Sequence, residues 1–271
     1  MKGVRLSRPE DRAALEKIWS ASFPGDEAFA RWFLENVYAP ERALVFEEGA
    51  EPRAMLHLMP VFCRSEGQDL AAAYVYAVAT LPECRGRGIA AALLEEAAAL
   101  EKLRGKALLV LVPQSRELFD YYRRQGFSDA LFRARRLISA RDAEPDDFEE
   151  DDAPGIPEMR TLYEAALVGR DRVARPEADW ARPLTYLRAV GVRQSGGFAG
   201  YAVYEPGGSV REMIAADPSA RLALEAAVLR RLGVREAVAF GPGEPVEPYG
   251  MARALVSGVR IPRAYAGLML D

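Results

Sequence analysis

The residues best placed to do chemistry form the run Arg85-Gly86-Arg87-Gly88, set between a strand-like stretch and a helix-like one. Tyr74–Thr80 has the β-branched and aromatic content of a strand, and Pro82 breaks it. From Ile89 apolar residues recur at helical spacing through Leu93, Leu94, Ala97 and Leu100. Glycines at such a turn let the backbone approach a ligand and aim its N–H groups outward. A helix start flanked by two arginines favours an anion. The residues alone leave two readings open, a pyrophosphate cradle or an ordinary tight turn. The G-x-G-x-x-G order of dinucleotide folds is absent, and no Gly-Lys-Ser/Thr follows to make a P-loop.

The other reactive side chains exclude more than they suggest. Cys63 and Cys84 have no C-x-x-C partner and His57 is the only histidine, which argues against a structural zinc site. His57 falls within a strand-like stretch; its chemistry suits a general base, but a lone strand histidine is more often structural. A net charge of −4 gives no chain-wide attraction to nucleic acid. No run approaches the ~18 apolar residues of a membrane span, and the start MKGVRLSRPEDR has no signal-peptide core. The expectation is a cytoplasmic protein with no metal, no nucleic-acid partner and no membrane partner. Self-association is left open.

The elements that must position the loop follow a mixed α/β order. A short strand at Val4–Leu6 precedes helices carrying Leu15, Ile18 and Trp19, then Phe29, Trp32 and Phe33. Ala43–Glu47 and Ala54–Phe62 read as neighbouring strands, with Glu47 and Glu48 at a solvated turn. Gly105 suits a helix cap, and Ala107–Val112 reads as a buried strand. That strand–helix–strand order implies a right-handed parallel crossover. A helix from Ser115 to Arg124 leads into Tyr122-Arg123-Arg124-Gln125-Gly126-Phe127. In Leu131–Ile138, Arg133 and Arg135 fall on one side and Arg136 on the other; this is a solvated face or, less favoured, a groove for an anion.

Arg85-x-x-Gly88-x-Ala90, preceded by Val78-Ala79-Thr80-Leu81-Pro82, resembles the cofactor loop of the GCN5-related N-acetyltransferases. Tyr122-x-x-x-Gly126-Phe127, one strand later, resembles a second element of the same family. The resemblance implies that Val78, Ala79, Thr80, Arg85, Gly86, Arg87, Gly88, Ile89 and Ala90 bind acetyl-CoA, with the Val78 N–H facing the thioester oxygen. It implies that Tyr122 protonates the departing thiolate, and that the two early helices border the acceptor pocket, where Trp32 or Phe33 would touch substrate. The base that deprotonates the amine stays open among His57, Glu35, a water chain and the terminal carboxylate of Asp271.

Residues 142–155 read as an acidic linker; Asp142–Asp152 holds eight carboxylates in eleven residues, a composition that argues against a packed element. Beyond it, a helix over Pro157–Val168, strands at Val190–Gln194, Phe198–Tyr204 and Val210–Ala216, a helix over Ser219–Leu232 and later strands repeat the first order. The expected architecture is a GNAT fold over 1–141 followed by a degenerate GNAT-like domain over 156–271. At the matching position Ala216-Asp217-Pro218-Ser219-Ala220-Arg221 lacks the cradle pattern. Gly200–Tyr204 and Val210–Met213 resemble the middle domain of the enhanced-intracellular-survival acetyltransferases, whose third domain this chain is too short to hold. The implied activity is transfer of acetyl from acetyl-CoA to a primary amine of a small molecule. The alternatives are acetylation of a peptide or protein amine, a non-catalytic acetyl-CoA sensor, and aminoacyl transfer from tRNA, which the intact cradle disfavours.

Overall fold

In the computed structural model the described residues are 2–141, 145–174, 178–244 and 246–269. In chain order the elements are β1 (Lys2–Leu6), α1 (Arg12–Ser22), α2 (Glu27–Asn36), β2 (Ala43–Glu48), β3 (Glu51–Ser65), β4 (Gln68–Thr80), α3 (Ile89–Leu103), β5 (Leu108–Leu111), α4 (Arg116–Arg124), β6 (Ser128–Ser139) and β7 (Phe148–Asp151). They continue with α5 (Ile156–Ala166), β8 (Arg172–Ala174), α6 (Ala178–Ala181), β9 (Arg188–Gln194), β10 (Gly197–Tyr204), β11 (Val210–Ala215), α7 (Pro218–Leu232), β12 (Glu236–Gly241), β13 (Val246–Ala254) and β14 (Ala264–Tyr265). The chain divides into two units: Met1–Phe62, Leu70–Ser128 and Met251–Ile261 form the first, and Cys63–Asp69, Asp129–Gly250 and Pro262–Asp271 the second.

In the first unit the strand order is β1-β2-β3-β4-β5-β13. β1, β2 and β3 are antiparallel neighbours, and β4 pairs β5 in parallel from Ala72–Leu108 to Tyr74–Val110. Strand alternation sorts the side chains. Leu44, Leu56, Ala73, Val75 and Leu109 pack with Ile89, Leu93, Leu94 and Ala97 of α3. Residues of the other parity turn the opposite way: His57 and Tyr76 meet Trp19 of α1 and Phe33 of α2, and Tyr74 packs on Tyr76. The Leu-Leu-Val-Leu strand β5 is buried throughout and needs a neighbour on each edge. Met251–Ala254 of β13 supplies the outer one, antiparallel to Leu108–Leu111. A strand from late in the sequence therefore completes the first unit's sheet.

In the second unit β6, β12, β11, β10, β9 and β7 follow one another, with α7 against the sheet through Ala220, Leu224, Ala227 and Val228. The acidic stretch is more than a connector. Phe148–Asp151 form β7, antiparallel to β9. Carboxylate density is offset by arginines brought from afar: Arg230 and Arg231 donate to Glu150 at 2.6 and 2.7 Å, and Arg193 to Asp151 at 2.9 Å. Asp142, Ala143 and Glu144 lie outside the described residues. The buried Glu212 carboxylate accepts from Tyr201 Oη at 2.8 Å, Tyr265 Oη at 3.3 Å and the Leu268 N–H at 3.1 Å, which pins the segment after β14.

Candidate active site

The site begins with a defect in β4. Ala77 has φ 49°, a left-handed conformation that costs a residue with a side chain about 1–3 kcal/mol. The bulge reverses the alternation. By parity Val78 belongs with Tyr74 and Tyr76, yet it packs against the cluster on the α3 side. It sits four residues beyond the last β4–β5 pair at Tyr74–Val110, where the two strands are no longer laddered.

The chain then turns through Pro82–Cys84 into the glycine loop. Gly86 and Gly88 have φ 73° and 74°, so their need for glycine is set by the backbone. A Cβ on either would meet nothing within 4 Å, so the space above the loop is open. Gly88 is the N-cap of α3 and offers no side chain to its first N–H groups. Those donors face outward without a protein cap and carry the positive end of the helix dipole. Arg85 Nε donates to the Thr80 carbonyl at 3.0 Å, which folds the arginine back over the strand end. Arg87 is turned the other way: Nη2 donates to Glu48 at 2.8 and 3.1 Å and Nη1 to Cys84 Sγ at 3.7 Å.

The end of α4 supplies the second wall. Gly126, at φ 81°, lets its N–H bond the Arg123 carbonyl at 3.1 Å while the Phe127 N–H bonds the Tyr122 carbonyl at 3.1 Å. This helix stop fixes the Tyr122 ring 5.8 Å from Phe127 and 5.2 Å from Tyr121. Tyr122 is 7 % exposed, and its hydroxyl makes no hydrogen bond among the described residues. Burial pushes the phenol above its ordinary range, with the neighbouring Tyr121 adding to the effect.

These parts enclose a cleft of ≈ 510 Å³. Val78, Thr80, Arg85, Gly86, Gly88, Ile89 and Ala90 line it, and so does Tyr122. Ala79 is buried in the strand and Arg87 is held by Glu48; neither lines the cleft. Cys84, Leu118 and Tyr121 also line it. The spacing Leu118, Tyr121, Tyr122 is i, i+3, i+4, so one helix face already placed Tyr121 beside Tyr122.

The remaining candidates stand elsewhere. His57 is buried, with its ring 4.9 Å from Phe33 and 5.9 Å from Tyr38. Burial alone lowers its pKa to about 3, and Nε2 has no hydrogen-bond partner. It is a neutral side chain in an aromatic cluster. Glu35 is exposed, 3.5 Å from Arg12. Glu47 accepts from Arg5 at 2.6 Å, and Glu48 is the partner of Arg87. Trp32 stacks on Phe29 at 5.4 Å, and Phe33 is buried. Cys63 and Cys84 are free thiols, and burial with the Asp171 charge pushes Cys63 up to about 12. No group of His, Cys, Asp and Glu suited to a metal occurs among the described residues, and no described helix is long and apolar enough to cross a membrane. Asp271 lies outside the described residues.

At the corresponding place in the second unit the helix start is already occupied. Asp217 caps α7 by accepting from the Ala220 N–H at 2.8 Å, and Pro218 fills the first turn. β11 and β12 are also pressed together, since a Cβ on Gly241 would lie 2.5 Å from the Met213 carbonyl oxygen.

Residues 3–130 match the acetyltransferase (GNAT) domain family. A GCN5-related N-acetyltransferase from Anabaena variabilis ATCC 29413 superposes with a TM-score of 0.75 at 16 % identity, over 94 % of this chain and 73 % of that one. Eis1 from Mycobacterium abscessus gives 0.67 at 19 % identity, over 94 % and 74 % of the two chains. A tandem GNAT protein from the clavulanic acid biosynthesis pathway gives 0.58 at 15 % identity, over 96 % and 99 %. At these identities the likeness is one of fold. No curated protein matches the chain in sequence. The chain has a tandem GNAT fold, and the match to the acetyltransferase (GNAT) domain family lies in residues 3–130.

Proposed function

We propose that the protein is an N-acetyltransferase that moves the acetyl group of acetyl-CoA to a primary amine of a small molecule. The observation that carries this reading is one cleft lined by the glycine loop, by Val78 and by Tyr122. The residues fit the cosubstrate. Two glycines leave the loop open, and α3 presents uncapped N–H groups suited to a pyrophosphate. Acetyl-CoA supplies an activated thioester; the chain supplies position, dipoles and a proton.

In this reading Arg85 and the N–H groups from Gly86 to Ala90 hold the anionic end. In the same reading the Val78 N–H, next to the bulge at Ala77, would stabilise the negative charge that develops on the thioester oxygen. The amine nitrogen bonds to the carbonyl carbon, the carbon–sulfur bond breaks, and the Tyr122 hydroxyl gives its proton to the leaving sulfur. Burial keeps Tyr122 protonated at neutral pH, as a donor must be. The ammonium proton goes to water: the neutral, buried His57 and the outward Glu35 are poor bases for it. Capping of α7 by Asp217 supports a single cradle per chain.

The test is an acetyl-CoA turnover screen over a diverse amine panel, read as free thiol. Amine-dependent thiol release is expected. Thiol release that no amine accelerates would overturn transfer in favour of a sensor. Transfer confined to peptide or protein amines would overturn the small-molecule acceptor.

A further inference from the structure

The second unit holds a groove that the proposed reaction does not use. No described residue between β12 and β13 is helical, so nothing there corresponds to the α4 that follows β5 in the first unit. A groove of ≈ 590 Å³ there is lined by Arg136, Ile138, Arg141, Arg221, Leu222 and Glu225. A smaller lobe of ≈ 230 Å³ joins it at Arg136 and Arg221 and reaches Met213, Phe240 and Asp217.

Its charge is unbalanced. Arg141 Nη2 and Arg221 Nε each stand 3.8 Å from a Glu225 oxygen, beyond hydrogen-bond reach. Arg136 makes no hydrogen bond or ion pair among the described residues, and its guanidinium rests against Gly243, where a Cβ would collide with it. Three guanidinium groups thus face one carboxylate in the larger lobe. Among the described residues that line either lobe, the one further carboxylate, Asp217 in the smaller lobe, accepts from the Ala220 N–H. Arginine forks with free donors match phosphate and carboxylate oxygens, and Leu222 and Ile138 offer apolar contact to a small organic body. The volume is that of a small-molecule site.

We propose that this groove binds a small phosphorylated molecule, its phosphate between Arg136 and Arg221 and its organic part along Ile138 and Leu222. The site lies wholly within the second unit and does not rest on the acetyltransfer reading.

The probe is inorganic pyrophosphate, followed by titration calorimetry. The first-unit cradle is also a candidate for that anion, so the titration uses the full chain carrying Arg85→Gln. Binding is expected there, and adding Arg136→Gln should weaken it about tenfold, the size of one charge-assisted contact. Arg141→Gln, on the exposed rim, should weaken it in the same direction. No binding to the Arg85→Gln protein, or equal affinity after either added substitution, would overturn the proposal.

Discussion

Replacing Tyr122 by phenylalanine removes one hydroxyl and leaves the ring. That hydroxyl makes no protein hydrogen bond among the described residues, so folding stability should change by less than about 1 kcal/mol. Acetyl-CoA binding should also hold, because the loop from Arg85 to Ala90 is untouched. The loss falls on the leaving group. A positioned general acid contributes roughly 10²–10⁴-fold, about 3–5 kcal/mol of barrier. Tyr122 is 7 % exposed and its neighbours in the cleft include Leu118 and Ile89, so water is a poor substitute donor. We therefore expect a fall near 10³-fold in kcat with the acetyl-CoA Kd unchanged. The assay pairs thiol release with calorimetric acetyl-CoA binding on the same preparation. Tyr121→Phe serves as the control, since its ring lines the same cleft. A Tyr122→Phe rate within twofold of wild type, or a larger loss in Tyr121→Phe, would refute the assignment. Burial raises the Tyr122 pKa, so kcat should show no alkaline fall from this group below pH about 10.

Two further outcomes follow from buried groups. His57 has its pKa lowered to about 3 by burial, whereas an unfolded chain takes up the proton near 6.5; its neutral form therefore costs nothing above pH 6.5, and stability drains away as pH falls from there toward 3. The slope is at most about 1.4 kcal/mol per pH unit, and His57→Phe should flatten the acid side of a melting-temperature profile between pH 6.5 and 4; an unchanged profile would contradict the burial. Gly267→Ala should destabilise by about 3 kcal/mol or more in chemical denaturation, because a Cβ there collides with the Glu212 carboxylate and displaces its hydrogen bonds from Tyr201, Tyr265 and Leu268; a loss under 1 kcal/mol would count against that anchor.

The parts that could be read in advance are those whose cause is local. The glycine loop, its break at Pro82 and the helix from Ile89 are written in turn chemistry and helical spacing, and Gly126 ends α4 as its position suggests. What the sequence hid depends on distant partners. Arg87 looks like an anion ligand until Glu48, thirty-nine positions earlier, is found beside it. The carboxylates of β7 look unpackable until Arg193, Arg230 and Arg231 arrive. His57 reads equally well on either face of its strand, and only the aromatic cluster of α1 and α2 shows that it is sealed. The bulge at Ala77, which re-aims Val78, leaves no mark in a run of alternating Val, Tyr and Ala. Tyr121 reads from sequence as facing about a helical step away from Tyr122, yet with Leu118 it lines the same cleft.

In the proposed function the loop before α3 is where acetyl-CoA is held. Calorimetric titration of acetyl-CoA into wild-type protein and Gly88→Val tests it most directly. A Cβ at Gly88 meets no protein atom within 4 Å, so the substitution strains a backbone at φ 74° and fills the approach to the loop while leaving the core intact. One tight site is expected in the wild type, and a loss of at least about tenfold in affinity in a folded variant, the equivalent of one contact to a charged group. Undiminished binding in Gly88→Val, or no binding in the wild type, would contradict it.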